Sequence, residues 1–438
     1  MGLEGYRGAC LKKLESFGIA VGDQVRITTD RETVEGVLMP RYEFADDEHV
    51  VIKLKTGYNT GISVLRIKDI NLTSKGVEPS FRSPPKPKLV PGLPKVMIIG
   101  TGGTIASRID YRTGGVRPAL SSEELYYLVP ELSSIAEVET EALFSIYSEN
   151  MTPRRWSELA KRVGEAVKGG HDGVVITHGT DTMHYTAAAL SFALEGLPIP
   201  VVFVGSQRSS DRPSSDAAAN LIGAVKLAAS GNASGVFLVM HGGLSDDELD
   251  VHLGVRVRKD HSSRRDAFES VNSAPVGHIG QEVLLKPGLP PRRSSLKGFT
   301  CIPSFSAKVS IIKLHPGFDP SLLNSLVKEG CRAIILEGTG LGHAPSSVNK
   351  ELKAAIDLGV FVGMTSQTVW GSVRMTVYNT GRDLLRMGVV PLGDMLSEVA
   401  FAKASWLVGQ GFEPPEIASL MARNLRGELG VRRLVRRR

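Results

Sequence analysis

The chain has 438 residues, 42% of them apolar, and a formal net charge of +6. That length predicts more than one domain, about two to four. No apolar run reaches the roughly 18–20 residues that span a bilayer. The N-terminal stretch with Glu4, Arg7, Lys12, Lys13 and Glu15 lacks the apolar core of a signal peptide, so the sequence reads as cytoplasmic. Cys10, Cys301 and Cys331 are too few and too widely spaced for a disulfide framework or a cysteine metal site, and no His-Glu-x-x-His pattern occurs. No metal is expected.

In residues 1–18, Leu11, Leu14 and Phe17 fall at helical spacing and Gly18 ends the pattern. Five short alternating runs follow, at 23–29, 33–39, 49–55, 59–63 and 64–68. They predict a small antiparallel β-barrel over residues 1–74. Such a barrel serves equally for nucleic-acid contact, protein contact or spacing. Pro79, Pro84, Pro85, Pro87, Pro91 and Pro94 then mark an extended linker over 75–94.

After the linker, strand and helix patterns alternate. The run 95–100 reads as a buried strand ending in Gly100-Thr101-Gly102-Gly103-Thr104. Ser121-Ser-Glu-Glu124 reads as a capping box. A strand over 138–147 precedes a helix that Thr152-Pro153 opens and that runs to about 168. Strand 173–177 ends in His178-Gly-Thr-Asp-Thr182. A helix to about 194, strand 201–204, a helix over about 214–229 and strand 236–240 complete an α/β domain over 95–285. The alternation predicts a doubly wound, mostly parallel sheet. Residues 286–306, rich in Pro, Arg and Ser, read as a second linker. A smaller α/β domain over 307–438 follows, with strands at 308–314, 332–337 and 360–365 and helices at about 320–329, 346–358, 393–409 and 414–428. The basic tail Val431–Arg438 suits either solvent or a polyanion such as RNA phosphate.

The chemistry gathers at strand ends. Thr101, Thr104, Thr180, Asp181 and Thr182 follow two apolar runs, and Lys259 ends another alternating run. A threonine hydroxyl is a weak nucleophile until a base takes its proton. A lysine is that base only if burial or neighbours lower its pKa, whereas a paired aspartate would instead hold the lysine's charge and fix its position. The glycine turn offers backbone N–H groups to a developing oxyanion. Each piece also has an ordinary use. The threonines suit a turn, Asp181 suits an N-cap, and Lys259 suits the surface. The glycines do not form a Gly-x-Gly-x-x-Gly or Walker pattern, and neither does Gly338-Thr-Gly-Leu-Gly-His343.

Thr101-Gly-Gly-Thr-Ile-Ala106 and His178-Gly-Thr-Asp-Thr182 resemble the two signatures of the bacterial-type L-asparaginase family. The similarity continues through Ser148-Glu149-Asn150-Met151, Gly205-Ser-Gln-Arg208, the Lys259 segment, Glu337–His343 and Thr365-Ser-Gln367, over about residues 95–410. The resemblance implies an asparaginase-like two-domain α/β fold. It makes Thr101 the nucleophile of an acyl-enzyme, with Thr180, Asp181 and Lys259 as a second catalytic group. Ser148, Glu149 and Asp181 become substrate-binding. The family's loop tyrosine is missing from Gly115-Val-Arg-Pro118, and Tyr111 is the nearest candidate for that role. The N-terminal extension, with Arg108-Ile-Asp-Tyr111, Gln207–Asp216 and His261–Phe268, is similar to the D subunits of archaeal tRNA-dependent amidotransferases. That resemblance implies glutaminase or asparaginase activity that feeds ammonia to the amidotransferase's E subunit, which activates Glu-tRNA(Gln). ATP and Mg2+ would belong to that partner, with no cofactor in this chain. A homodimer core is implied as well. The alternative is a stand-alone cytoplasmic L-asparaginase with an added N-terminal domain. Sequence does not separate glutamine from asparagine, which differ by one methylene.

Overall fold

A computed structural model of the chain describes residues 3, 5–41, 45–55, 58–76, 92–103, 107–109, 116–118, 129–208, 215–245, 247–293 and 295–430. The capping box at 121–124, the tail from 431, Thr104 and Tyr111 lie outside these residues. The described residues divide into two compact units, one of Met1–Pro85 with Ser107–Arg117 and the other of Lys86–Ala106 with Pro118–Arg438.

The first unit opens with helix α1 (Gly8–Ser16). Five antiparallel strands follow: β1 (Gln24–Thr29), β2 (Thr33–Leu38), β3 (His49–Leu54), β4 (Asn59–Ser63) and β5 (Ile67–Ser74), in the order β4-β3-β2-β1-β5. Alternate residues Val25 and Ile27 of β1 are buried with Leu38, Val50, Ile52 and, from α1, Cys10 and Leu14. The run 64–68 is not a strand throughout. Val64–Arg66 is a 3-10 turn with Leu65 89% exposed, and the last strand lies further on. Its polar half, Asn71–Ser74, is a strand because β1 supplies its hydrogen bonds, Asn71 opposite Arg26 and Leu72 opposite Val25. Apolar pattern gives no sign of that. Ser107–Ile109 (β7) and Val116–Pro118 (β8) form a two-stranded sheet.

The second unit is built on an eight-stranded sheet. Its parallel part is β9 (Glu137–Ile146), β6 (Lys95–Gly102), β10 (Gly173–Thr177), β12 (Pro200–Val204) and β13 (Gly235–His241), side by side. An antiparallel edge of β14 (Leu249–Leu253), β17 (Gly277–Ile279) and β18 (Val283–Leu285) extends it. The runs Val96–Ile99 of β6 and Val174–Ile176 of β10 are apolar on both sides because both faces are covered. Val96, Ile98 and Val175 point to one core, with helix Ala217–Ser230, and Met97, Ile99 and Ile176 point to the other, with helices Pro153–Lys168 and Met183–Ala193. Thr152 caps the first of these, accepting from the Arg155 N–H at 3.3 Å.

A second, parallel sheet holds β20 (Val309–Lys313), β21 (Ala333–Gly338), β22 (Phe361–Ser366) and β23 (Val390–Pro391). Helices Ser321–Lys328, Asn349–Asp357 and Asn379–Met387 accompany it. The core is shared between the sheets. Phe192 stacks on Trp406 of helix Ser397–Gly409 with centroids 6.1 Å apart, and the same cluster reaches Val309, Ala333 and Phe361. Residues 286–306 are threaded into the body: β19 (Thr300–Cys301) pairs with β11 (Leu194–Glu195), and the Ile302 N–H bonds Ala193 O at 2.8 Å. The last helix, Pro414–Met421, stops short of 428 because Glu428 turns back, accepting N–H bonds from Leu425 and Arg426 and an ion pair from Lys403.

Candidate active site

Thr101 stands one residue before the end of β6, between β10 and β9. It is 2% exposed, and its hydroxyl donates to Thr177 O at 2.8 Å. The turn after it requires glycine. Gly102 and Gly103 have φ of +101° and +87°. A methyl on Gly102 would lie 2.3 Å from Ile146 O, and one on Gly103 2.2 Å from the Gly179 N. The first signature therefore lies directly against the second.

That second segment leaves β10 at Thr177 and enters helix Met183–Ala193. Asp181 does not cap the helix. Thr182 occupies the cap position and makes no side-chain cap bond. Lys259, from β15 (Val257–Lys259), instead gathers the pair: its Nζ donates to Thr180 Oγ1 at 2.8 Å and to Asp181 Oδ1 at 2.7 Å. The lysine side chain is 8% exposed and that of Asp181 69%. The alternatives of a surface lysine and a capping aspartate are thereby removed. Adjacent Thr180 and Asp181 and the distant Lys259 form one hydrogen-bonded group.

His178 lies beneath, fully buried. Its Nδ1 faces Gly179 O at 2.8 Å and so carries the proton, while Nε2 accepts from Thr186 Oγ1 at 2.9 Å. Trp156 Nε1 donates to that same hydroxyl at 3.0 Å. Burial lowers the pKa of His178 to about 4, which keeps the ring neutral.

Ser148 and Glu149 begin a 3-10 turn after β9. The Thr182 hydroxyl donates to Ser148 O at 2.7 Å, and a methyl on Gly179 would lie 2.7 Å from Ser148 Cβ. Ser148 is thus packed onto the second signature. Glu149 is exposed and lines an open recess of about 510 Å3 with Tyr147, Asn150, Thr152 and Arg155. Tyr111 lies outside the described residues. Among the described residues, no group of three His, Cys, Asp or Glu is placed to hold a metal ion.

Two supports escaped the reading by motif. The first is a buried carboxylate, Asp216, which accepts N–H bonds from Gln207 at 2.9 Å and Arg208 at 3.0 Å. Asn220 Nδ2 donates to Asp216 and, at 3.0 Å, to Gly205 O, while His241 Nδ1 meets Asn220 Oδ1 at 2.7 Å. A methyl on Gly205 would touch Thr180 Cγ2 at 2.8 Å, so this network fixes the loop beside Thr180. Asp216 and Asn220 at i, i+4 across a helix start were the available signal. The second is Glu398, 4% exposed, which pairs with Arg258 at 2.5 Å from the first turn of helix Ser397–Gly409. Nothing local marks it.

Known proteins are similar to this chain. Residues 95–289 match the family described as Asparaginase, N-terminal, and residues 308–421 the Glutaminase/Asparaginase C-terminal domain. The L-asparaginase from Thermococcus kodakarensis is similar in structure, with a TM-score of 0.68 and 34% identity, covering 77% of this chain and 99% of that one. L-asparaginase I from Vibrio cholerae gives 0.66 and 29%, covering 78% and 100%. The class is an asparaginase-like α/β enzyme. Residues 19–73 match the GatD N-terminal domain. The D subunit of glutamyl-tRNA(Gln) amidotransferase from Metallosphaera sedula is 48% identical over 98% of this chain and 97% of its own length. Its counterpart from Pyrococcus furiosus is 47% identical over 95% and 96%. The chain belongs to the family of glutamyl-tRNA(Gln) amidotransferase D subunits.

Proposed function

We propose that this chain is a glutaminase or asparaginase that releases ammonia from a side-chain amide for the conversion of Glu-tRNA(Gln) to Gln-tRNA(Gln). The observation that carries the reading is the Lys259–Thr180–Asp181 cluster beside the glycine turn of Thr101. Thr101 Oγ1 attacks the amide carbon. The C–O bond forms, the C–N bond breaks, and the hydroxyl proton ends on the nitrogen, which leaves as ammonia. Water then attacks the acyl-threonine and releases the acid. The Thr180 hydroxyl, held by Lys259, moves the proton, and Asp181 fixes the lysine and receives the substrate's α-amino group. Ser148 and Glu149 bind the rest of the substrate, and Tyr111 is the candidate loop tyrosine.

The partner is the amidotransferase's E subunit, which holds ATP and Mg2+ and activates Glu-tRNA(Gln), with a homodimer of this chain at the centre of a cytoplasmic complex. The domain boundaries we assign are 1–74, 95–285 and 307–438, with a linker at 75–94 and, at 286–306, a connection that packs on the body rather than spacing the two apart. No helix among the described residues is long and apolar enough to cross a membrane.

Thr101→Val keeps shape and removes the hydroxyl. In the assembly with its partner, it is expected to abolish glutamine-dependent Gln-tRNA formation, with a fall of about 10³-fold or more. Formation from added ammonium should persist. Glutamine-dependent formation at the normal rate would falsify the assignment.

A further inference from the structure

Lys259 reaches the site on a strand that belongs to neither large sheet. Among the described residues β15 pairs only with β16 (Phe268–Ser270), in a two-stranded ladder of three residue pairs. A ladder that small has little stability of its own. Part of its restraint is the core, in which Val257 and Phe268 are buried, and part comes from far along the chain. Arg256, 4% exposed, donates through Nε to Gly427 O at 2.7 Å and through Nη1 to Asp394 at 2.9 Å. Arg258 Nη1 meets Glu398 Oε1 at 2.5 Å. Asn272, beyond β16, donates to Gly371 O at 3.1 Å and Asp394 O at 3.2 Å and accepts from the Gly371 N–H at 2.9 Å. Among the described residues, Asn272 is the one non-glycine with positive φ, +55°. The hairpin is therefore clamped before, within and after its ladder.

The middle clamp lies nearest the chemistry. Glu398 and His184 stand in the first turns of two helices that pack together, with His184 Nε2 4.0 Å from Glu398 Oε1. They share a recess of about 330 Å3 with Asp181, Arg258 and Lys259. Glu398 Oε2 and His184 Nδ1 are buried without partners. A buried carboxylate is costly unless paired, and Arg258 is the cation that pairs it. Burial lowers the pKa of His184 to about 3, so the imidazole is neutral and does not compete for that role.

We propose that Glu398, through Arg258, is a positioning residue that sets Lys259 on Thr180 and Asp181. Side chains alternate along a strand, so pinning Arg258 fixes the strand's rotation and the direction in which Lys259 leaves it. The proposal rests on the reading of Lys259 as part of the catalytic group.

The test uses the full-length chain in the assembly in which it purifies. Active sites are counted with a glutamine-analogue electrophile, and ammonia release from glutamine is measured per site. Arg258→Gln and Glu398→Gln are expected to lower kcat about 10–100-fold with KM held within about twofold. Arg258→Lys, which keeps the ion pair, should restore most of the rate. Unchanged kcat in Arg258→Gln beside an inactive Lys259→Ala overturns the proposal and leaves the role of Lys259 intact. An active Lys259→Ala overturns that role, and the proposal with it. A loss confined to the number of active sites, or to KM, shows a defect of folding or binding and also overturns it. Should Glu398→Gln not fold, Arg258→Gln decides by itself, since that side chain is 31% exposed.

Discussion

A single methyl at Gly103 meets the backbone of Gly179 at 2.2 Å, and a φ of +87° disfavours any side chain there. Both residues follow strands of one sheet, so neither can retreat without disturbing Thr101 or Thr180. Gly103→Ala should cost about 1–3 kcal/mol in urea unfolding and most of the ammonia release. Gly170 makes the comparison, with φ +84° and nothing within 4 Å of its added methyl. Gly170→Ala should show the backbone cost alone and keep activity. Thr186 offers a second residue-scale test. Its hydroxyl serves both His178 and Trp156, so Thr186→Val strands two buried polar atoms. A loss of about 1–3 kcal/mol is expected by urea titration. At this scale the sequence was informative. Thr101, Thr180 and Asp181 could be found because strand-end loops with glycine have a local signature. Lys259 could be found only as the end of an alternating run, and the hydrogen bonds that give it a role span 78 and 79 residues.

Elements were legible where burial has a period. Strands β6, β10, β12 and β13 and helix Pro153–Lys168 follow their apolar patterns within a residue or two. The antiparallel edge was not read as strands: β14 does alternate, Leu249-Asp-Val-His-Leu253, but β17 and β18, of three residues each, are too short to show a period. Helix 414–428 was read too long for a tertiary reason. Lys403 and Glu428 are both fully buried, 2.6 Å apart, and the chain folds back to bring them together. Burial raises the Glu428 pKa, but Lys403 and the N–H groups of Leu425 and Arg426 outweigh it and hold the carboxyl below its ordinary range. Lys403→Met leaves that carboxylate buried and unpaired. The expected loss is about 3–5 kcal/mol, and a loss under about 1 kcal/mol would show that water reaches the pair.

The molecule as a whole carries an acid liability. His178, His184 and His252 are sealed in the second unit, and burial lowers their pKa values to about 4, about 3 and about 3. The unfolded chain binds a proton at each below about pH 6.5, and the folded chain does not. Their contribution is complete above that pH and is lost as pH falls toward about 4. Each group adds up to about 1.4 kcal/mol per pH unit to the slope. Unfolding free energy should therefore drop between about pH 7.5 and about pH 5, and His252→Gln should recover about 1–2 kcal/mol of that drop. An identical drop in the variant would remove His252 from the account. The clamp on β15 has a consequence in time. A ribosome that has added residue 300 has already made Thr101, Thr180, Asp181 and Lys259. Asp394, Glu398 and Gly427, which hold the lysine's strand, are made later. If Lys259 acts with Thr101 as proposed, a nascent chain would hold that threonine idle through all the synthesis between, until Gly427 has been added and has left the ribosome.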